Sequence, residues 1–230
     1  PRYLSSAASD VYKRQSRIPL ASIRDYPDRG HALIRRLLGA LHGLEFSFLL
    51  PGNGAAELFT WAAHDAAEQG LSVLAAPGFA DYKRALRCWS ATSRQQQLPL
   101  LWDEGFPQPF PDAGKGSVLW ICNPHNPTGQ LWSRASLQPL LERYAMVICD
   151  EAFLPLVPNG EQQSLSPLVS DHSNLVVIRS LTKLYGIAGL RLGYAIAHPQ
   201  RLERWAQWRD PWPVNLSLIH ISEPTRPTDI

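Results

Sequence analysis

Three short runs constrain this chain more than any other feature: VLWIC at 118–122, MVICD at 146–150 and LVVIRS at 175–180. Each is apolar almost throughout and rich in β-branched residues, and lacks the polar alternation of a strand with one face in water. Strands buried on both faces have this composition, and they occur in parallel sheets covered by helices. The segments between them agree. Residues 31–43 (HALIRRLLGALHG) have helical spacing, 55–70 (AAELFTWAAHDAAEQG) predict a helix with a glycine stop, and 79–90 (FADYKRALRCWS) predict another. SFLLPGNG (47–54) and LSVLAAPG (71–78) read as further short strands ending in turns. The proline- and polar-rich stretch from 91 to 116 reads as a loop. Strands and helices in alternation predict an α/β fold on a mostly parallel sheet, with ligands gathered beyond the carboxyl ends of the strands.

The two ends of the 230-residue chain read differently. VYKRQ (11–15) can be encoded by GTG TAT AAG AGA CAG, and the reverse complement, CTG TCT CTT ATA CAC, encodes LSLIH (216–220). One inverted DNA sequence at both ends is what read-through of a sequencing adapter produces. Residues 1–15 and 216–230 are therefore expected to be artefacts, leaving 16–215 as one domain. With 45% hydrophobic residues there is material for a sizeable core. A formal charge of +2 with no basic block gives no case for nucleic acid. No apolar run reaches the roughly 18–20 residues that span a bilayer. Cys88, Cys122 and Cys149 are widely spaced and never CxxC. They predict buried thiols in a reducing cytoplasm, with neither a disulfide nor a zinc framework.

Polar features cluster at the strand ends. PGNGAAE (51–57) is a glycine turn opening a helix, where free amides can hold a phosphate; the alternative is a tight turn made for packing. NPHNPTG (123–129) follows VLWIC, and its two prolines fix an irregular loop that can aim Asn126 at a phenolate-type oxygen; the alternative is an ordinary turn. Asp150 closes MVICD, where an unpaired carboxylate would be costly. It predicts a partner for a buried cationic nitrogen, or else a structural ion pair or cap. Strand geometry points the adjacent Glu151 elsewhere. In SLTKLYGIAGLRLGY (180–194) two cations, Lys183 and Arg191, sit in a segment otherwise suited to burial. A desolvated lysine is nucleophilic toward carbonyls, and an arginine keeps its charge for a phosphate. A Schiff-base lysine, a carboxylate for a ring nitrogen, an amide for a ring oxygen and phosphate donors together describe a pyridoxal phosphate site.

NPxNPTG, the strand-end Asp, and SxxK followed eight residues on by Arg resemble the fold-type-I pyridoxal phosphate enzymes of the aminotransferase class I/II family. The resemblance covers nearly all of 16–215. It implies a three-layer α/β/α large domain, with Lys183 as the cofactor-linked lysine, Asp150 as partner of the ring nitrogen and Asn126 of the ring oxygen. Ser180, Arg191 and the amides of Ala55 and Ala56 match phosphate ligands, and Phe79 matches the aromatic that stacks on the ring. Tyr26, in DYPDRG, is similar to a tyrosine that reaches the neighbouring subunit's phosphate, which implies a homodimer. GNGAAELFT, PGFADYKRAL, DEAF, IRSLTKLYGIAGLRLGY and PWPVN look closest to threonine-phosphate decarboxylases of cobalamin synthesis, with histidinol-phosphate aminotransferases as the alternative. The substrate implied for this chain is a small phosphorylated amino acid. Phe153 stands where most aminotransferases have a tyrosine, and the decarboxylase resemblance accommodates it. A non-catalytic ligand domain of a regulator is a third reading. The resemblance also implies a small C-terminal domain holding the substrate carboxylate, and the expectation is that this sequence stops before it. The expectation is a large domain that as written is poorly soluble or loosely folded, binds cofactor weakly at most and does not decarboxylate, with an apolar patch left bare on its sheet.

Overall fold

The computed structural model describes residues 26–99 and 105–214. The expected end artefacts at 1–15 and 216–230 lie outside these residues. In chain order the elements are α1 (Ala32–His42), β1 (Leu49–Asn53), α2 (Gly54–Gln69), β2 (Ser72–Ala76), α3 (Asp81–Cys88), β3 (Ser93–Gln97) and β4 (Val118–Cys122). There follow α4 (Arg134–Leu137), α5 (Leu140–Arg143), β5 (Met146–Asp150), β6 (Leu175–Ser180), α6 (Leu181–Leu184), β7 (Leu192–Ala197) and α7 (Pro199–Trp208), with several short 3-10 turns between.

The strands form one seven-stranded sheet in the order β1-β7-β6-β5-β4-β2-β3. β3, β2, β4, β5 and β6 run parallel; β7 is antiparallel to both β6 and β1. Every residue of β4, β5, β6 and β7 is buried. Strand alternation sorts these residues between two cores. Leu119, Ile121, Val147, Cys149 and Val177 face one core, where Ile34 and Leu38 of α1 and Leu137 of α4 pack. Trp120, Ile148 and Ile178 face the other, against Leu58 and Phe59 of α2, Leu86 of α3 and Trp205 of α7. The fold is thus α/β in three layers.

Several expectations need correction. β3 lies in the stretch read as loop: SRQQQ is a polar edge strand whose pattern carries no burial signal, and only pairing with β2 defines it. The segment 180–194 is not uniformly buried, since Leu184 and Tyr185 are 40% and 47% exposed. Cys88 is exposed, while Cys122 and Cys149 are buried and free. Among the described residues the expected bare patch on the sheet is not found, because helices cover the central strands on both faces. The large exposed apolar side chains belong to helices and loops, among them Leu33, Leu41, Phe46 and Leu156. Among the described residues no helix is long and apolar enough to cross a membrane.

Candidate active site

A cavity of about 250 Å³ opens at the carboxyl ends of the central strands, beside the start of α2. That is near the lower end for a small-molecule site. Its walls contain Ala55, Ala56, Phe79, Asn126 and Asp150, and also Ser180, Lys183 and Arg191, so eight of the nine residues singled out in the sequence meet in one place. Tyr26 is the exception. It is 78% exposed and stacks on Trp212, with ring centroids 4.5 Å apart.

Asp150 reaches the cavity because β5 ends there and its odd neighbours, Val147 and Cys149, take the opposite face. Its carboxylate accepts a hydrogen bond of 2.6 Å from the Tyr82 hydroxyl and one of 3.0 Å from the Ala152 amide. It makes no ion pair among the described residues, so the structural salt-bridge alternative is not realised. Burial pushes its pKa up to about 6; the Tyr82 and Ala152 hydrogen bonds pull it down, Glu151 adds to the rise and Lys183 opposes it. The Tyr82 phenol is in turn driven well above its usual range by burial and by Asp150. The Tyr82 hydroxyl thus stays the donor in the pair and Asp150 the acceptor.

Asn126 is aimed by a braced loop. The Asn123 side chain holds Trp132 at both backbone groups, at 3.1 and 2.8 Å. The Asn123 amide donates to the Asp150 carbonyl at 2.8 Å, and the His125 ring contacts the Pro77 carbonyl at 2.7 Å. Lys183 departs from expectation: it is exposed, with Nζ 5.4 Å from the centroid of the Phe153 ring. The desolvated lysine read from the flanking Leu181, Leu184 and Tyr185 is not what the fold produces, because α6 is a single turn at the cavity mouth.

The wall beside the start of α2 is built by close approach. No side chain caps α2, so its first amides stay free beside the positive end of the helix dipole. A Cβ on Gly54, whose φ is +74°, would collide with the Arg191 guanidinium. A Cβ on Gly193 would come within 2.6 Å of the Ala55 nitrogen. The two glycines let β7, Arg191 and the helix start converge. Arg191 itself has φ 54°, a left-handed conformation that costs a non-glycine residue energy and recurs at functional sites. Ser180 and Thr182 exchange a 2.7 Å hydrogen bond at the same wall.

Sequence reasoning missed Thr182 and Cys122 in this wall, and Tyr82 behind it, whose hydroxyl donates to Asp150. Tyr82 and Thr182 carried weak signals, lying three residues after Phe79 and two after Ser180. Cys122 carried none, being read only as a buried thiol.

The sequence profile of the aminotransferase class I and II family matches residues 20–222. The chain belongs to that family. Threonine-phosphate decarboxylase of Salmonella typhimurium is 34% identical over 209 residues, covering 85% of this chain and 55% of that protein. Histidinol-phosphate aminotransferase of Symbiobacterium thermophilum is 32% identical over 206 residues, covering 87% and 56%. The crystal structure of L-threonine-O-3-phosphate decarboxylase from Porphyromonas gingivalis superposes with a TM-score of 0.76 at 26% identity, covering 93% of this chain and 63% of that one. The chain spans about half the length of the curated relatives it matches. Pyridoxal 5'-phosphate is the cofactor that family membership implies. The donor set fits it: a primary amine, a buried carboxylate for a ring N–H, and a cradle for phosphate that two glycines keep open.

Proposed function

We propose that this chain is the cofactor-binding part of a pyridoxal phosphate-dependent decarboxylase. Its substrate is L-threonine O-3-phosphate, and its products are carbon dioxide and (R)-1-aminopropan-2-yl phosphate, an intermediate of cobalamin synthesis. The observation that carries this reading is the convergence of Lys183, Asp150, Asn126 and Arg191 on one cavity, with Phe153 in its wall where a transaminase would place a tyrosine. The 34% identity to the Salmonella decarboxylase supports it.

Bound here, pyridoxal phosphate supplies an aldehyde that condenses with amines and a ring that draws electrons from a bond breaking at Cα. The residues of the chain divide the remaining work. Lys183 is the amine that tethers the cofactor. Asp150 would accept from the ring N–H and keep that proton in place, while Asn126 would donate to the ring oxygen. Arg191, the Ser180 hydroxyl and the amides of Ala55 and Ala56 hold the phosphate. Phe79 would lie against the ring, and Tyr26 would serve the phosphate of a second subunit. Once carbon dioxide has left, Lys183 Nζ delivers a proton to Cα.

A second reading is favoured by the 32% identity to the Symbiobacterium aminotransferase, in which Lys183 Nζ would instead take the Cα proton. Incubating a protein that carries this chain with threonine phosphate, and separately with histidinol phosphate plus 2-oxoglutarate, separates the two. Carbon dioxide from the first mixture is expected. Glutamate from the second mixture without carbon dioxide from the first would establish the transaminase, and neither product would favour a ligand-binding role.

A further inference from the structure

Directly behind the cavity, on the other face of the sheet, lies a charged cluster that the proposed chemistry does not use. Arg179 is 2% exposed and Glu151 is fully buried, and they form an ion pair of 2.7 Å. Arg179 also forks onto both oxygens of Glu161, at 2.7 and 2.9 Å, and donates to the Ser164 hydroxyl at 2.8 Å. Glu151 accepts from the Leu165 amide at 2.7 Å and from the Ser164 hydroxyl at 2.8 Å. Burial opposes the Arg179 charge, but Glu151 and Glu161 outweigh it and hold the guanidinium above its ordinary range.

The chain neighbours of this pair are cavity residues. Glu151 follows Asp150, and Arg179 precedes Ser180, which opens the turn carrying Lys183. β5 and β6 pair in parallel up to Asp150↔Ile178, and the Glu151 amide donates to the Ile178 carbonyl at 2.9 Å. Alternation then places Asp150 and Ser180 on the cavity face and Glu151 and Arg179 on the opposite one. A buried ion pair contributes little net stability compared with apolar replacements of similar shape, because desolvation offsets attraction. Its position, clamping two strand ends from behind, accounts for it better than stability does.

We propose that Arg179 is a positioning residue: through Glu151, Ser164 and Glu161 it fixes the end of β5 against the end of β6, and so fixes Asp150 relative to Ser180 and Lys183. This rests on the functional reading above only for what the cavity binds. Tyr82 from α3, Cys122 from β4 and Lys183 from α6 bear on Asp150 from the cavity side, and Glu151, next in the chain, acts on it from the opposite face.

The test compares the wild-type chain with Arg179→Lys and with the double variant Glu151→Gln/Arg179→Met. Arg179→Lys conserves the charge behind the sheet, but an ammonium cannot fork to the same acceptors. The double variant removes both charges while its amide oxygen still accepts from Leu165 and Ser164. Carbon-13 NMR of labelled aspartate, without cofactor, gives the Asp150 titration midpoint. Arg179→Lys should raise that midpoint by at least about half a unit as the carboxylate loses register with Tyr82 and Ala152. In the double variant, pyridoxal phosphate affinity should fall about tenfold, the scale of lost outer support at a site, with the thermal midpoint within about 3 °C of wild type. An unshifted Asp150 midpoint in Arg179→Lys would overturn the proposal, as would wild-type affinity in a folded double variant. If a full-length protein that carries this chain takes up no pyridoxal phosphate, the functional reading fails, and the titration alone still decides the role of Arg179.

Discussion

At Asp150 the demands of folding and of chemistry oppose each other. The carboxyl is 6% exposed, and burial raises its pKa in the fold to about 6 from an ordinary 3.8. The folded chain therefore binds a proton more tightly than the unfolded chain between those values. Stability is greatest below the lower value and falls as pH rises toward 6, by about 3 kcal/mol in all, and the deficit persists above that. Asp150→Asn removes the titration. Without cofactor, its unfolding free energy should be nearly flat across pH 4–7 relative to wild type, and higher than wild type at pH 8. Urea titrations at a series of pH values check this, and parallel curves for the two proteins would rule it out. Lys183 makes the complementary prediction. Wild-type chain with pyridoxal phosphate should show a visible band that borohydride fixes covalently to one lysine. Lys183→Ala should lose it, and a reduced adduct mapped by mass spectrometry to another lysine would remove Lys183 from its proposed role.

Among elements, those that place the site differ in how plainly their sequences announce them. β4, β5 and β6 were legible because burial on both faces demands apolar residues at every position, and LVVIRS keeps that demand even though it ends in Arg179 and Ser180. β7 was not read as a strand. Leu192–Ala197 follows a glycine-rich turn and resembles any small apolar run, and its antiparallel lie between β1 and β6 depends on partners distant in sequence. Gly193 shows what that position is for. Its missing side chain admits the first turn of α2, with the Ala55 nitrogen 2.6 Å from where a Cβ would stand. Gly193→Ala should push the helix start away and weaken pyridoxal phosphate binding by about tenfold, equivalent to ~1.4 kcal/mol. Gly189→Ala, which meets nothing within 4 Å, is the matched control. Equal affinity in the two variants, read by fluorescence titration, would show that close approach at Gly193 does not shape the phosphate cradle. α7 was also unannounced. It docks because Asp65, fully buried in α2, takes hydrogen bonds from Arg204 at 2.6 Å and from the Trp205 indole at 3.1 Å, and is paired with Arg201 as well. An aspartate on an otherwise apolar helix face gave no hint of partners some 140 positions away.

For the whole molecule, the role proposed for Tyr26 bears on whether one chain makes a complete site. It stands outside its own cavity, held by stacking on Trp212 and by a 3.1 Å hydrogen bond from the Trp212 indole to the Pro27 carbonyl. If it completes the phosphate site of a second copy, as we propose, Tyr26→Phe and Lys183→Ala damage opposite partners of one pair. Mixing the two variants under conditions that exchange subunits should restore up to about a quarter of wild-type sites, since half of the dimers are mixed and each mixed dimer has one site with both residues intact. Recovery absent from the mixture, measured as cofactor bound per chain, would count against the shared site. The sequence by itself determined the local terms: strands that only a covered sheet can use, glycines where backbone must turn, and an amine, carboxylate, amide and guanidinium at successive strand ends. Those are properties of short segments, so a linear reading recovers them. Only the tertiary structure decided that Lys183 stands exposed at the cavity mouth, that Tyr82 hydrogen-bonds Asp150, and that Arg179 and Glu151 clamp the two strand ends from behind. Each joins residues that are far apart in sequence or on opposite faces of one sheet, and the energy that selects it exists only once the strands have paired.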